Sequence, residues 1–168
     1  MGFTHYYMHT IHHSPARIAK ALEPLIRHGE DAGVLAGPMG EGRPNYERPA
    51  FNGIGELSHE SFNPCAHQPW NPPKRQSGFC KTARKPYDSY VVAALYRLKA
   101  LYPTTFIVST DGTLEEWERG AGDSCVNPRD LYREVYGEES PPPESVLSSF
   151  RTPPWLEPGM PTDTPAGG

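Results

Sequence analysis

Apolar residues recur at helical spacing in a first long segment of the chain. Ser14 and Pro15 supply a capping hydroxyl and a first-turn proline. The residues after them form an apolar stripe that Gly29 is suited to end, which predicts a helix over residues 15–29. Pro24 lies inside this stripe, so the sequence predicts a kink or a break there.

A second segment, residues 87–102, has apolar residues three and four positions apart and predicts the other main helix. Pro86 has the backbone angle of a first helical position. The Asp88 carboxylate favours the positive end of the helix dipole, an interaction of about 0.3–1 kcal/mol. One face of this helix is predicted to be buried, with Arg97 and Lys99 pointing away from it.

Alternating and β-branched residues predict the strands. Strands are expected at residues 3–11, 34–37, 51–57 and 104–110. A further strand signal begins near Gly78 and runs directly into the second helix. The glycines of the weak segment 51–57 indicate a bulge or a close approach to a ligand.

Two shorter helices and a change of composition complete the pattern. Thr113 opens one helix with a capping box, and Asn127 opens another that ends at Gly137. Together the elements predict a single α+β domain over residues 1–137, with a mixed sheet of about four or five strands and two main helices.

Prolines leave no periodic pattern from Ser140 onward. Residues 138–168 are therefore predicted to form an extended or disordered C-terminal tail. The apolar side chains of this tail either dock on the domain or on a partner protein, or the tail lies free.

Composition narrows the functional class without selecting one. The 168 residues carry a net charge of −4, which argues against a protein that coats nucleic acid and still allows a local basic patch. No stretch has the length and apolar character of a membrane span, and the first residues lack a secretory-signal pattern. Three cysteines at irregular spacing fit reduced thiols, so a cytoplasmic location is predicted.

Four residues are candidates for proton transfer. His5 lies in the first strand and could enter a cleft, while His59 and Glu60 lie in a proline-rich stretch that is the best candidate for a functional loop. Asp88 joins them from the start of the second helix. The alternative for His5 is a half-buried position whose polar atoms are satisfied within the protein.

Positive charge collects between the last strand signal and the second helix. Lys81, Arg84 and Lys85 precede a helix N-terminus, where unpaired backbone N–H groups and the dipole attract anions. Asn52 and Thr82 add polar side chains, and these five residues form the predicted ligand-binding set. The alternative is a solvated basic loop ahead of an ordinary helix.

The cysteines allow two further interpretations. Cys80 is either a nucleophile, activated by nearby lysines and a helix N-terminus, or a buried inert thiol. Cys65 and His67, with Cys80 and His59, are residue types of a zinc site. Their spacing does not match the familiar zinc motifs, so no metal is predicted.

Several short motifs occur in one order along the chain. They are Gly2-Phe3-Thr4-His5-Tyr6, Phe51-Asn52-Gly53, His59-Glu60 followed by Phe62, and Phe79-Cys80-Lys81-Thr82 with Pro86-Tyr87-Asp88. Together they resemble a family of small hypothetical proteins of bacteriophage and actinobacterial genomes, over roughly the first two thirds of the chain. The resemblance implies an intracellular phage or bacterial setting and no reaction type.

Two functional hypotheses follow. In the first, the protein binds, and as an enzyme would process, a phosphorylated ligand such as a nucleotide or a nucleic-acid end, held by Lys81 and Arg84. In the second, it is a non-catalytic phage accessory protein, such as a host-defence inhibitor or a virion component, that acts through protein contacts. Polar candidates that converge in one pocket favour the first hypothesis. Scattered candidates beside an exposed apolar surface favour the second.

Overall fold

The computed structural model describes residues 3–11, 13–65 and 76–150. For residues 149 and 150 it describes only the backbone. The strands are β1 (Thr4–His9), β2 (Leu35–Ala36), β3 (Asn52–Gly53), β4 (Gln76–Lys81), β5 (Phe106–Thr110) and β6 (Leu147–Phe150). The helices are α1 (Pro15–Asp31), α2 (Asp88–Leu101), α3 (Leu114–Arg119), α4 (Pro128–Tyr136) and α5 (Pro143–Val146). Two short 3₁₀ turns cover Pro38–Gly40 and Gly55–Leu57.

The main sheet has the strand order β4-β1-β5-β6. β1 is antiparallel to both of its neighbours, whereas β6 is parallel to β5, so the sheet is mixed. β2 and β3 form a separate antiparallel pair. The predicted α+β class and the mixed sheet of about four strands are confirmed.

The helix α2 lies at the centre of the fold. It packs against the sheet through β5, and α1 and α4 pack against it as well. Burial therefore extends around almost the whole helix, from Asp88 to Tyr96 without interruption, and not along one face as predicted. The two basic residues that were predicted to point away also form hydrogen bonds within the protein: Arg97 donates to the Tyr132 hydroxyl and Lys99 to the Phe106 carbonyl.

The helix α1 begins as predicted, with the Ser14 hydroxyl accepting from the Arg17 N–H and Pro15 in the first turn. It continues through Pro24 without a break, because that proline is on the exposed side and water can solvate the carbonyl it leaves unpaired. The helix also passes Gly29. A Cβ at this glycine would lie 2.4 Å from Leu35 Cδ1, so the residue is needed for close packing and not for termination.

The segment 51–57 forms less strand than predicted. Only Asn52–Gly53 pairs in a sheet, and a 3₁₀ turn follows at Gly55–Leu57. A Cβ at Gly53 would lie 2.1 Å from the Leu57 carbonyl oxygen. The close approach that the glycines indicated is therefore to the protein's own backbone.

The two shorter helices agree with their sequence signals. Thr113 and Glu116 form the complete capping box of α3. The Asn127 side chain caps α4, and Gly137 follows that helix in the left-handed conformation, with φ of 71°.

The predicted domain boundary at residue 137 is too early. Beyond it, α5 and β6 complete the sheet, and Pro143 and Val146 are buried. The Ser140 hydroxyl accepts from Arg129 of α4, which fixes the approach to α5. Residues 138–150 thus belong to the domain, and residues 151–168 of the predicted tail lie outside the described residues.

Across the described ranges, none of the helices combines the length and the apolar character that a membrane span requires.

Candidate functional site

A buried hydrogen-bonded network joins four elements beside the predicted site. His5 of β1 places Nε2 2.7 Å from Asp88 Oδ1 at the start of α2, and Nδ1 2.9 Å from Thr110 Oγ1 of β5. Thr82, just after β4, donates its hydroxyl to the same Asp88 oxygen. The side chains of His5 and Asp88 are 0% and 1% exposed.

One set of protons satisfies every member of this network. The Gly112 N–H donates to Thr110 Oγ1, the Thr110 hydroxyl donates to His5 Nδ1, and His5 Nε2–H donates to the Asp88 carboxylate.

The rings of Phe3 and Trp117 pack edge-on against His5. A substrate cannot reach His5 or Asp88 in this conformation. The alternative interpretation of His5 was a half-buried position with satisfied polar atoms. Both ring nitrogens are satisfied, but the side chain is completely buried, in a network that joins β1, β5, α2 and the residue after β4.

His59 and Glu60 lie together at the outer edge of β4. His59 Nδ1 is 2.9 Å from the Lys81 carbonyl oxygen, and Glu60 Oε2 accepts from the Lys81 N–H at 2.9 Å. Both side chains therefore pair with backbone groups of Lys81, at the end of an edge strand. They do not converge with His5 and Asp88, which are buried behind that strand.

Asn52 also binds backbone. Its Oδ1 accepts from the N–H groups of Gly53 and His59, and its Nδ2 donates to the His59 carbonyl and the Ser61 hydroxyl. Both ends of the amide are thus occupied within the protein. Asn52 shapes the loop after β3, and Thr82 is equally occupied by Asp88.

The three basic residues of the predicted anion site differ in what they contact. Arg84 pairs with Glu116 at 2.9 Å, and its guanidinium lies 4.3 Å above the centre of the Phe3 ring. Lys85 Nζ donates to the carbonyls of Glu56 and Ser58, at 2.9 and 2.7 Å. Lys81 is exposed, and its ammonium group makes no hydrogen bond or ion pair with another described residue.

The helix N-terminus itself is also occupied. α2 begins at Asp88, two residues after Pro86, and the Asp88 and Tyr90 N–H groups donate to the Lys85 and Tyr87 carbonyls. The preceding turn holds Ala83 and Arg84 at φ of 53° and 55°, which directs the chain from β4 into the helix. Few of the predicted anion-binding groups remain for a ligand.

The cysteines are protected thiols. Burial raises the pKa of Cys80 well above its ordinary value, and its thiol donates to the Glu60 carbonyl. Burial also raises the pKa of Cys65 to about 11. His67, the other half of the zinc interpretation, lies outside the described residues. Within those residues, no three His, Cys, Asp or Glu side chains are arranged to hold a metal ion.

A cavity of about 350 Å³ lies close to the predicted site, between the end of α1, the start of α2, the loop 120–127 and α4. Its apolar lining comes from Ala32, Val34, Pro86, Val126 and Leu131. Its polar lining includes His28, Tyr90, Asp130 and Glu134.

A chain of polar contacts runs along one side of the cavity. His28 Nδ1 is 2.9 Å from the Tyr90 hydroxyl, and His28 Nε2 is 3.4 Å from Glu134 Oε1. Burial, with a smaller contribution from the negative charge of Glu134, raises the pKa of Tyr90 to about 12. The phenol therefore stays protonated at neutral pH and can donate to His28.

None of these polar residues is among the site residues predicted from the sequence. They come from three helices separated by long stretches of chain, and none belongs to a recognisable motif. The one local signal is that His28 and Glu134 each lie beside the apolar stripe of an amphipathic helix, near its C-terminal end.

In comparisons with known proteins, no family model, no curated protein and no solved structure matches this chain.

Proposed function

We propose that this protein binds a small organic molecule in the cavity between α1, α2, α4 and the loop 120–127. The observation that supports this function is the cavity itself. Its volume of about 350 Å³ falls within the range of about 300–1,000 Å³ that is usual for ligand sites. An apolar lining with a few polar groups along one side is also typical of such sites.

The lining contains apolar groups that a ligand would cover. Val126 is 54% exposed although it lies against the cavity, and Val34 is half-buried. A ligand that removes this surface from water would gain about 25 cal/mol for each Å² of apolar area. The polar chain from Tyr90 through His28 to Glu134 would then orient the ligand.

A blocking variant tests this site. Ala32 is exposed at the end of α1 and lines the cavity, so Ala32→Leu narrows it without disturbing the core. Ala16→Leu is the matched control, because Ala16 is also exposed and lies about 24 Å away along the same helix.

The measurement is a two-dimensional NMR screen of the full chain with a library of small organic fragments. We expect binders to shift the amide resonances of His28, Val34 and Leu131. Ala32→Leu should weaken binding at least tenfold, while Ala16→Leu should leave it unchanged. The proposal is wrong if no fragment shifts these resonances, or if Ala32→Leu and Ala16→Leu bind the fragments equally well.

The phosphorylated-ligand hypothesis stays a prediction. Of its three basic residues, Lys81 is the one whose charged group makes no hydrogen bond or ion pair with another described residue. Arg84 would have to release Glu116, and Lys85 would have to release two carbonyls, before either could hold a phosphate. Inorganic phosphate and nucleotides in the same screen test it, because binding at this junction should shift Lys81 and disappear in Lys81→Ala.

The accessory-protein hypothesis has one observation in its favour. The two 3₁₀ turns contact each other and carry exposed apolar side chains, with Met39 83% and Leu57 45% exposed. This hypothesis gains if no fragment binds in the cavity. The phage or bacterial setting and the cytoplasmic location also stay predictions.

A further inference from the structure

The charge of the cavity is negative on one side. Asp130 and Glu134 lie one turn apart on α4, and no lysine or arginine is among the described residues that line the cavity. Asp130 has a partner outside the cavity, because Arg133 Nη1 lies 3.0 Å from its Oδ1. Glu134 has no such arginine: among the described residues its ion-pair partner is His28.

The contact between His28 and Glu134 is loose. When the Tyr90 hydroxyl donates to His28 Nδ1, the ring proton lies on Nε2, which faces Glu134. The separation of 3.4 Å is longer than a good N–H···O hydrogen bond, which is usually about 2.9–3.0 Å. The Glu134 side chain is 69% exposed, so water solvates its carboxylate, and a ligand in the cavity can reach this carboxylate beside the apolar surface formed by Val34 and Leu131.

From this geometry we infer that the ligand is an organic cation, a primary or secondary amine carried on a compact apolar body. The ammonium group would donate to Glu134, and the apolar body would rest on Val34 and Leu131. Anionic ligands are disfavoured, because Asp130 and Glu134 would repel them. This inference rests on the proposed function, since it specifies the class of ligand for the same cavity.

Three probes of nearly equal shape separate charge from apolar contact. They are benzylammonium, benzyl alcohol and benzoate, titrated into the full chain at pH 7.5 and followed by NMR. We expect benzylammonium to bind about tenfold more tightly than benzyl alcohol, because a charge-assisted hydrogen bond adds to the apolar contact. Benzoate should bind more weakly than the alcohol.

Glu134→Gln should remove the tenfold advantage of benzylammonium, whereas the affinity for benzyl alcohol should change much less, because the amide oxygen can still accept from its hydroxyl. Glu115→Gln is the matched control, because Glu115 is an exposed helical glutamate outside the cavity and its loss should change neither affinity. A merely structural role of Glu134 would lower the affinity for both probes together.

The outcomes separate this inference from the proposed function. If none of the three probes binds in the cavity, both are wrong. If the alcohol and the amine bind there equally well, or if Glu134→Gln leaves the preference for the amine intact, the cavity binds ligands but the cationic class is wrong.

Discussion

Asp88 combines two roles at one position of the chain. Its carboxylate lies in the first turn of α2, where it favours the helix dipole, and it is also the acceptor for His5 and Thr82 in a buried network. A buried carboxylate is tolerated only when hydrogen bonds replace its hydration. The two donors and the helix N-terminus together supply that replacement.

We expect Asp88→Asn to lower the free energy of unfolding by about 2 kcal/mol, because two charge-assisted hydrogen bonds become neutral ones and the new amide N–H₂ is buried. This exceeds the 0.3–1 kcal/mol of the dipole interaction alone. Asp123→Asn is the control: Asp123 is exposed, and its replacement should change stability by less than 0.5 kcal/mol. Urea unfolding measures both. Equal effects of the two substitutions would contradict the structural role of the network.

The sequence indicates that Asp88 favours a helix start, because that effect depends only on neighbouring residues. It does not indicate burial, because the partners of the network lie far away: His5 is 83 residues from Asp88, and Thr110 is 105 residues from His5. Lys85 shows the same limit. Its charge is visible in the sequence, whereas the two carbonyls that it binds, 27 and 29 residues away, are not.

Among the secondary-structure elements, the capping residues of the helices were predicted more accurately than the lengths of the helices and strands. Ser14, Thr113 and Asn127 all cap the helices that their patterns predicted, because a cap is a contact within four residues. The length of a helix or strand, in contrast, depends on how it packs against the rest of the protein. Pro24 does not end α1, since burial of the apolar stripe of that helix outweighs a cost of about 3 kcal/mol for a proline in a helix interior.

The segment 138–150 was predicted from its composition to be an extended tail, but it forms a helix and a strand. Consecutive prolines predict an extended tail, yet Pro143 occupies the first turn of α5 and Val146 is 1% exposed in the core. A four-residue strand follows and pairs with β5. Elements this short give no periodic signal, so only the tertiary structure reveals them.

Val146→Ala tests whether this segment belongs to the domain. We expect a loss of about 2 kcal/mol in the free energy of unfolding, because the substitution leaves a cavity in the core. Val126→Ala is the matched control, since Val126 is 54% exposed and its truncation should cost less than 0.5 kcal/mol. A negligible effect of Val146→Ala would show that the segment is only loosely attached.

For the whole molecule, the sequence predicted the class of fold and a mixed sheet of about four strands, because strand and helix patterns are local and are repeated in several segments. It did not predict that α2 is covered on almost every side, since this follows from α1 and α4 both packing on it. The cavity has the same origin: His28, Tyr90 and Glu134 converge only because three helices meet.

Several cysteine thiols and tyrosine hydroxyls are buried, and their burial makes the stability of the fold depend on pH in the alkaline range. Cys65 and Cys125 have pKa values raised to about 11 by burial, and burial likewise raises that of Tyr90 to about 12. In the unfolded chain these groups ionise at lower pH. Between about pH 9 and pH 11 the unfolded state therefore binds fewer protons than the folded state, and stability falls as pH rises.

Lys99 acts in the opposite direction, because burial lowers its pKa and the folded state then loses a proton before the unfolded state does. Several thiols and phenols outweigh this single amine. We therefore expect the free energy of unfolding to decrease between pH 9 and pH 11. Each group that is ionised only in the unfolded state contributes a slope of about 1.4 kcal/mol per pH unit.

Urea unfolding at pH 8, 9, 10 and 10.5, under reducing conditions, measures this slope. Cys125→Ser provides the matched comparison, because a serine can still donate to the Arg84 and Lys85 carbonyls but does not titrate in this range. The variant should lose less stability than the natural chain over the same interval. A stability that is constant or rising up to pH 10.5, or a slope that Cys125→Ser leaves unchanged, would mean that these thiols are not shielded as the structure shows.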